Sequence, residues 1–211
     1  ALPIFIILAK NKIGYKNLIK LSSLAYIEGL YYKPRIDFEL LNKYKEGLII
    51  TTACTGGEIP TYLANNNKQK AIEIANKYKE VFKDDFYFEI MFHTYQYDKK
   101  REQEEKNIAI LMYKLAKELG IKAICTNDVH YAKKDDAEAH DVLLSIQTLD
   151  HIKNPDRFSF KSNDFYIKSI EEMFNIYRKQ PQLLLNTVEI SEKIENNLID
   201  TGLDLLPDFK V

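Results

Sequence analysis

The 211 residues include 30 lysines and arginines, 31 aspartates and glutamates, and 45% hydrophobic side chains, a balance typical of a globular domain with its own core. The longest apolar stretch is too short to cross a bilayer, and two cysteines in so long a chain exclude a disulfide scaffold and fit reduced thiols in a cytosol. Neither GxGxxG nor GxxxxGKS/T occurs, which argues against dinucleotide-binding and P-loop proteins. The near-neutral charge gives no general basic surface for nucleic acid.

Short β-rich runs alternate with helical patterns along most of the chain. In chain order, the predicted strands run from Ile4 to Leu8, Gly47 to Thr52, Phe86 to Met91 and Ile121 to Thr126. The predicted helices run from Tyr15 to Leu30, from the cap Asp37 to Leu41, and then from Glu58 to Leu63, Ala71 to Phe82, Glu104 to Leu119 and Ala137 to Ile146. This alternation predicts an α/β fold with a mainly parallel sheet, either a barrel or a doubly wound sheet.

The two ends of the chain have patterns of their own. The first run, Ile4 to Leu8, is continuously apolar and β-branched, which predicts a strand covered on both faces. Beyond Thr148 the alternation stops, and the polar stretch from His151 to Asn163 predicts a loop. Ser169 and Glu172 then form the pattern of a capping box opening a short helix, and Pro181 suits the start of another helix.

Polar side chains follow three successive predicted strands. Cys54 comes after the second strand, His93 (with Glu89) lies at the end of the third, and Asp128 and His130 follow the fourth. In parallel α/β folds the carboxyl ends of the strands share one edge, where functional groups gather. Thiolate, imidazole and carboxylate together suit zinc or a comparable transition metal, so this edge is a candidate metal site.

Each of these residues also has a purely structural interpretation. A free cysteine is commonly a small buried hydrophobe, and Cys125, inside an apolar strand, is expected to be one. His93 alone would more often be a hydrogen-bonded core histidine, and Asp128 alone a turn residue or cap. The Asp128 and His130 pair is more specific, because alternate residues project to the same side of an extended chain. By contrast, His140 and His151 are expected at the surface.

Two other kinds of site are disfavoured. A Ser-His-Asp triad is weakly supported, because no GxSxG elbow occurs. The basic run Lys99 to Arg101 is followed by several glutamates, which predicts a solvated helix start rather than a phosphate-binding patch.

Eight segments along the chain stand out together. They are LAKNKIGYKNLIKLSSLAYIEG from Leu8, KPRIDFELL from Lys33, GLIITTACTGGEI from Gly47, FYFEIMFH from Phe86, AICTNDVHYAKKDDAEAHDVLLSIQT from Ala123, DFYIKSIEEM from Asp164, NTVEISEKI from Asn186 and LPDF from Leu206. In this order the segments resemble the alpha subunit of the bacterial replicative DNA polymerase III, within its N-terminal PHP (polymerase and histidinol phosphatase) domain. They cover nearly the whole chain. The resemblance implies a partial distorted β/α barrel lacking its N-terminal strands, followed by helices leading toward the palm. Residues 1–190 would be the C-terminal portion of the PHP domain and residues 191–211 the connection toward the palm.

The resemblance also implies a ligand set. The family's cysteine ligand falls on Cys54, its closing DxH motif falls on Asp128 and His130, and His93 matches a histidine of the family. A divalent transition metal, zinc or manganese, is expected there, and in some polymerases the domain supports a metal-dependent 3′-5′ exonuclease.

Two departures from the family pattern change the expectation for this segment. The family's HxH motif would precede Ala1, and where members with a full site have another histidine before the LAKN segment, this sequence has Leu2, Pro3 and Phe5 around Ile4. The polymerase aspartates would follow Val211. A set of Cys54, Asp128 and His130 is too small for a multinuclear cluster. The metal site is therefore expected to be incomplete, and this segment is expected neither to polymerise DNA nor to hydrolyse it efficiently.

For the parent protein, the resemblance implies DNA-directed DNA synthesis with magnesium. Its expected partners are DNA, deoxynucleotides, a proofreading subunit and a sliding clamp, in the cytoplasm and without a membrane. One alternative is a free-standing PHP phosphatase resembling histidinol phosphatase. Another is a degenerate PHP domain that serves only as a scaffold.

Overall fold

The computed structural model describes residues 4–199, in which strands and helices alternate as the sequence predicts. The strands are β1 (Ile6–Ala9), β2 (Leu48–Thr51), β3 (Phe86–Ile90) and β4 (Ala123–Cys125). The helices are α1 (Lys12–Ile27), α2 (Phe38–Lys43), α3 (Glu58–Ala64), α4 (Lys68–Phe82), α5 (Lys99–Leu119), α6 (Ala137–Gln147), α7 (Ile170–Tyr177) and α8 (Pro181–Lys193).

The strands form one sheet in the order β1-β2-β3-β4. β2 pairs with β3 in parallel, with Ile50 opposite Phe86, and β3 pairs with β4 in parallel, with Glu89 opposite Ile124. Every residue of β2, β3 and β4 is buried, as expected for parallel strands covered on both faces. The prediction of an α/β fold with a parallel sheet is confirmed.

The first strand differs from its prediction. β1 begins at Ile6, two residues later than predicted, and none of its residues is fully buried. Ile6 is 41% exposed. The prediction that both faces are covered is therefore wrong, because β1 is the edge strand of the sheet, where a continuous apolar run does not guarantee burial.

Local capping explains where the helices begin and end. α5 begins at Lys99 rather than Glu104, because the Asp98 side chain accepts a hydrogen bond from the Arg101 backbone at 3.0 Å. The helix ends at Gly120, whose φ of +61° favours glycine. Ser169 opens α7 with the predicted capping box, its hydroxyl accepting from the Glu172 backbone at 3.2 Å.

The chain divides into two compact units. The larger comprises residues 4–6 and 50–189, with β3, β4 and most of the helices, and the smaller comprises residues 7–49 and 190–199, with α1 and α2. In the smaller unit α1 crosses the turn before β2 at Gly14 and Gly47, where the backbone of Lys10 donates to the Gly47 carbonyl at 2.9 Å.

Within residues 4–199, no helix has both the length and the apolar content that a membrane crossing would need. Residues 200–211, which include most of the predicted connection at 191–211, lie outside the described part of the chain.

Candidate functional site

A cleft of about 390 Å³ opens where β2, β3 and β4 end. Cys54, His93, Asp128 and His130 all line it. This strand-end cleft is also lined by Arg101 and by aromatic rings including Phe160. The rule that side chains following parallel strands meet at one edge thus places the predicted residues around one space.

The buried imidazole of His93 is fully engaged by the protein. Its Nδ1 lies 2.6 Å from the Glu105 carboxylate, and its Nε2 lies 2.9 Å from the carbonyl oxygen of Asn127. Because a carbonyl only accepts hydrogen bonds, Nε2 carries a proton there. The ring also stacks on Phe165 at 4.1 Å between centroids. Neither ring nitrogen offers a free lone pair to the cleft.

Glu105 is the partner that the sequence analysis missed. Its carboxylate accepts hydrogen bonds from the His93 backbone N–H at 3.0 Å and from the Tyr95 hydroxyl at 2.5 Å. The residue lies on α5 one turn before Ile108 and is only 7% exposed. Glu105 lies three residues before Ile108, so it shares the apolar face of α5 with Ile108 and Met112, because i, i+3 and i+4 positions lie on one helix face. This spacing is the sequence signal that indicates a buried carboxylate.

Cys54 lies half-buried in the turn after β2. Burial raises the pKa of its thiol, an N–H of Gly56 that hydrogen-bonds to the sulfur opposes the rise, and the carboxylates of Asp128 and Glu89 add to it. The cysteine is therefore held as a neutral thiol. Cys125, inside β4, is only 3% exposed, and burial raises its pKa to about 12, as expected of a buried hydrophobe.

Asp128 and His130 both line the strand-end cleft. His130 is exposed, and its Nδ1 lies 2.6 Å from the Asp128 carbonyl oxygen, so Nδ1 is the donor of that hydrogen bond. Asp128 has a φ of +44° and Ala53, beside Cys54, has a φ of +56°. Left-handed backbone is costly for a residue with a Cβ and tends to collect at functional sites. One of these residues, Asp128, is a predicted ligand, and the other, Ala53, directly precedes the predicted ligand Cys54.

Glu89 lies deeper, on β3, and is 5% exposed. Its carboxylate accepts from the Thr51 hydroxyl at 2.8 Å, and its backbone N–H donates to Thr52 Oγ1 at 2.9 Å. Burial raises the pKa of this carboxyl, and the hydrogen bond from Thr51 opposes the rise. Glu89 therefore links β2 to β3 beneath the cleft.

A second buried network holds the walls of the cleft together. Lys168 pairs with Asp164 at 2.9 Å and donates to the Asn127 side chain at 2.5 Å. Asp164 in turn accepts from the backbone N–H of Thr94 at 2.8 Å. Three loops that are distant in sequence are thus joined by charge-assisted hydrogen bonds. The loop prediction for 151–163 holds, but this segment and the residues after it also form a wall of the site.

Two surface predictions need correction. His140 is half-buried, because its ring packs against Tyr131 and Phe160 at 5.2 Å from each. Lys99 and Lys100 are exposed at the start of α5, as predicted, but Arg101 turns into the strand-end cleft. Its guanidinium lies 4.9 Å above the ring of Tyr95. Successive residues on a helix point in different directions, so Arg101 can enter the cleft while Lys99 and Lys100 remain in solvent.

The site residues do not form a metal centre by themselves. Among residues 4–199, no three Cys, His, Asp or Glu side chains are grouped closely enough to hold a metal ion. His93 is also committed to Glu105 and Asn127. The described residues alone therefore do not complete a metal site, and the assignment of Cys54, Asp128 and His130 as ligands stays a prediction.

Comparison with known proteins gives a consistent result. Residues 3–93 match the PHP domain family. The chain is 44% identical over 207 residues to the DNA polymerase III subunit alpha of Treponema pallidum, covering 98% of this chain and 17% of that protein. It is 41% identical over 206 residues to the corresponding subunit of Borreliella burgdorferi, with the same coverage, and 40% identical over 215 residues to that of Aquifex aeolicus, covering 98% and 18%. The chain spans about one sixth of the length of these relatives.

Proposed function

We propose that this chain belongs to the family of DNA polymerase III alpha subunits and forms part of the PHP region of a bacterial replicative DNA polymerase. The observation that carries the proposal is 44% identity over 98% of the chain. Residues 1–190 are assigned to the PHP domain and residues 191–211 to the connection toward the palm.

The whole protein is proposed to synthesise DNA on a DNA template by nucleotidyl transfer with magnesium. Its substrates are DNA and deoxynucleotides, and its partners are a proofreading subunit and a sliding clamp, in the cytoplasm. These assignments rest on what the relatives are named, since this chain covers only 17% of the first of them.

Within that protein, we assign this segment a supporting role rather than a chemical one. Zinc or manganese in a complete PHP site would lower the pKa of a bound water and hold a phosphodiester. Here the His93 imidazole is engaged by Glu105, and among residues 4–199 no three ligating side chains are grouped closely enough to hold a metal ion. We therefore assign no metal-dependent hydrolysis to this segment. The 211-residue segment alone neither polymerises DNA nor hydrolyses it efficiently.

The proposal is tested on the longer polypeptide that contains this chain, by primer extension and by elemental analysis for metal. We expect primer extension, with transition metal bound at less than one ion per chain. The double variant Asp128→Ala/His130→Ala should lose the residual metal and keep primer extension. A control double variant, His151→Ala/Asp156→Ala, changes two exposed residues outside the cleft and should keep both the metal and primer extension. A fully loaded metal cluster in the parent, or loss of extension in the cleft variant alone, would contradict the proposal.

The alternative, a free-standing phosphatase resembling histidinol phosphatase, is less well supported, because the relatives compared are all polymerase subunits. It makes a different prediction. Phosphate release from histidinol phosphate, abolished by Asp128→Ala, would favour the phosphatase, whereas the polymerase assignment predicts none.

A further inference from the structure

A second cleft adjoins the strand-end cleft. This polar cleft, of about 550 Å³, lies between the loop after β3, the start of α6 and the loop at 159–163. Phe160 lines both clefts. Its ring lies 4.6 Å from the ring of His130 and 5.2 Å from the ring of His140. One aromatic side chain therefore separates the two spaces.

The segment that carries this ring, residues 150–160, is hydrogen-bonded mainly to itself. Among residues 4–199, the backbone groups from 151 to 160 form their hydrogen bonds with partners inside 150–160. The N–H of Asn154 donates to the carbonyl of His151 at 2.8 Å, and Nε of Arg157 donates to the carbonyl of Ile152 at 3.1 Å. A surface loop organised by its own contacts keeps its shape without backbone pairing to its neighbours.

The chain on either side of this segment is attached to the rest of the larger unit. At its start, the N–H of Asp150 donates to the carbonyl of Ser145 on α6 at 2.9 Å. Just after it, the hydroxyl of Ser162 donates to the carbonyl of Thr94 at 2.6 Å. The segment is thus a self-contained piece of chain between two fixed points.

The two junctions with the fixed chain have left-handed backbone. Leu149 has a φ of +54° and Lys161 has a φ of +53°. Neither residue is a glycine, so this conformation is costly for both because of the Cβ atom. A change of φ to ordinary values at these two positions would relieve that cost and move the segment between them. Positions that absorb such a backbone change are the hinges of a lid.

The side-chain bonds that hold the segment in place meet at one carboxylate. In the described part of the chain, the side-chain hydrogen bonds and ion pairs between 150–160 and its surroundings all end on Asp141 of α6. The guanidinium of Arg157 donates two hydrogen bonds to it, one of them 2.9 Å long, and the hydroxyl of Ser159 bonds to it as well. The side chains of Arg157 and Asp141 are 11% and 29% exposed. A bidentate pair shielded to this degree is stronger than a fully solvated one.

We propose that residues 150–160 form a lid, hinged at Leu149 and Lys161 and closed by the ion pair of Arg157 with Asp141, that controls access to the strand-end cleft. In the closed lid, Phe160 separates the two clefts. When the ion pair breaks, the lid moves outward, Phe160 leaves the wall, and the two clefts become one continuous space. Backbone strain at the hinges favours opening, while the ion pair and the packing of Phe160 favour closure, so a change at the pair shifts the balance. This inference goes beyond the proposed function and does not depend on it.

The test combines amide hydrogen exchange with cysteine alkylation on the 211-residue chain, in the presence of a chelator so that no metal protects a thiol. Asp141→Asn removes the charge that faces Arg157. It should speed amide exchange from 151 to 160 about fivefold, as expected for loss of one partly buried bidentate pair. Cys54 lines the strand-end cleft, so its alkylation by iodoacetamide should also become faster. Cys125, which is 3% exposed inside β4, should stay protected.

Three further variants separate the ion pair from other effects. Arg157→Lys keeps the positive charge but loses the bidentate geometry, so both rates should rise less than in Asp141→Asn. Asp156→Asn removes an exposed carboxylate of the lid itself and should change neither rate. Phe160→Ala leaves the ion pair intact but removes the ring between the clefts, and it should speed the alkylation of Cys54.

Three results would overturn the lid. Unchanged exchange in Asp141→Asn would show that the ion pair does not hold the segment closed. Faster exchange without faster alkylation of Cys54 would show that the segment does not cover the cleft. A parallel rise at Cys125 in both Asp141→Asn and Arg157→Lys would assign the effect to loosening of the whole fold. Because the test uses neither metal nor DNA, its failure is distinct from failure of the primer-extension and metal tests.

Discussion

His93 and Glu105 form a buried pair in which one carboxylate oxygen lies 2.6 Å from the imidazole Nδ1 and 3.0 Å from the backbone nitrogen of the same histidine. His93 is 2% exposed and Glu105 is 7% exposed. The pair fastens the chain just after β3 to the side of α5. A histidine whose position in the sequence predicts a metal ligand is thus held by a protein carboxylate, and its role as a ligand stays a prediction.

Replacing Glu105 should therefore destabilise the fold. Glu105→Gln removes the negative charge beside His93 and leaves the buried imidazole and the Tyr95 hydroxyl with a weaker partner. Breaking a buried pair costs several kcal/mol, and we expect a loss of about 3 kcal/mol in the free energy of unfolding. Urea denaturation followed by circular dichroism measures it.

Glu104→Gln provides the control, because the neighbouring glutamate has a side chain that is 62% exposed and lies 3.7 Å from Lys100. Its effect should stay within about 0.5 kcal/mol. If the two variants were equally stable, the pair would be only an incidental contact.

Lys168 should be as important to the walls of the cleft. Its side chain is 3% exposed and neutralises Asp164 at 2.9 Å. Lys168→Met keeps much of the volume but leaves a buried carboxylate unpaired, which we expect to cost about 3–5 kcal/mol in urea denaturation. The same change at the exposed Lys179 should be nearly neutral. A loss at Lys168 no larger than at Lys179 would show that water, rather than the lysine, satisfies Asp164.

The elements that the sequence predicts well are those determined locally. The apolar stripe of α5, its glycine stop at Gly120 and the capping box at Ser169 depend on residues within about one helical turn of each other. The strand-end positions of Cys54 and Asp128 follow from chain direction in a parallel sheet. Both kinds of inference need no knowledge of which distant segments meet.

What the sequence could not predict depends on contacts between distant segments. Phe165 stacks on His93 across 72 positions, and Asp164 binds the backbone of Thr94 across 70. No periodicity in the sequence predicts these contacts, so the sequence predicts only a loop in the segment that precedes Asp164. The sequence likewise predicts that Arg101 lies in solvent with Lys99 and Lys100, whereas its side chain lines the strand-end cleft.

A close approach of two backbones makes Gly14 irreplaceable in the smaller unit. A Cβ on Gly14 would lie 1.9 Å from the carbonyl oxygen of Gly47, a backbone atom that cannot turn aside. Gly14→Ala should therefore destabilise the chain by about 3 kcal/mol, although alanine favours helix by about 1 kcal/mol. Thermal unfolding of the purified chain measures the loss.

Gly56→Ala is the matched control for that substitution. There a Cβ would meet nothing closer than 3.6 Å, an ordinary contact with Ile4, so we expect a change within about 1 kcal/mol. A Gly14 variant as stable as the Gly56 variant would mean that α1 can shift away from Gly47 at little cost.

The ion pair of Asp141 and Arg157 predicts a pH-dependent contribution to stability. Hydrogen bonds from the guanidinium, one of them 2.9 Å long, hold the pKa of Asp141 below its ordinary value of 3.8. A depressed carboxyl pKa stabilises the fold above the unfolded value, and the stabilisation disappears as the pH falls through the folded pKa. Asp141→Asn should lower the melting temperature by roughly 2–4 °C near neutrality, and the difference from the unsubstituted chain should shrink below about pH 3.8. The exposed Asp156→Asn should leave the melting temperature nearly unchanged near neutrality. A constant deficit for Asp141→Asn at every pH would assign the loss to packing rather than to charge.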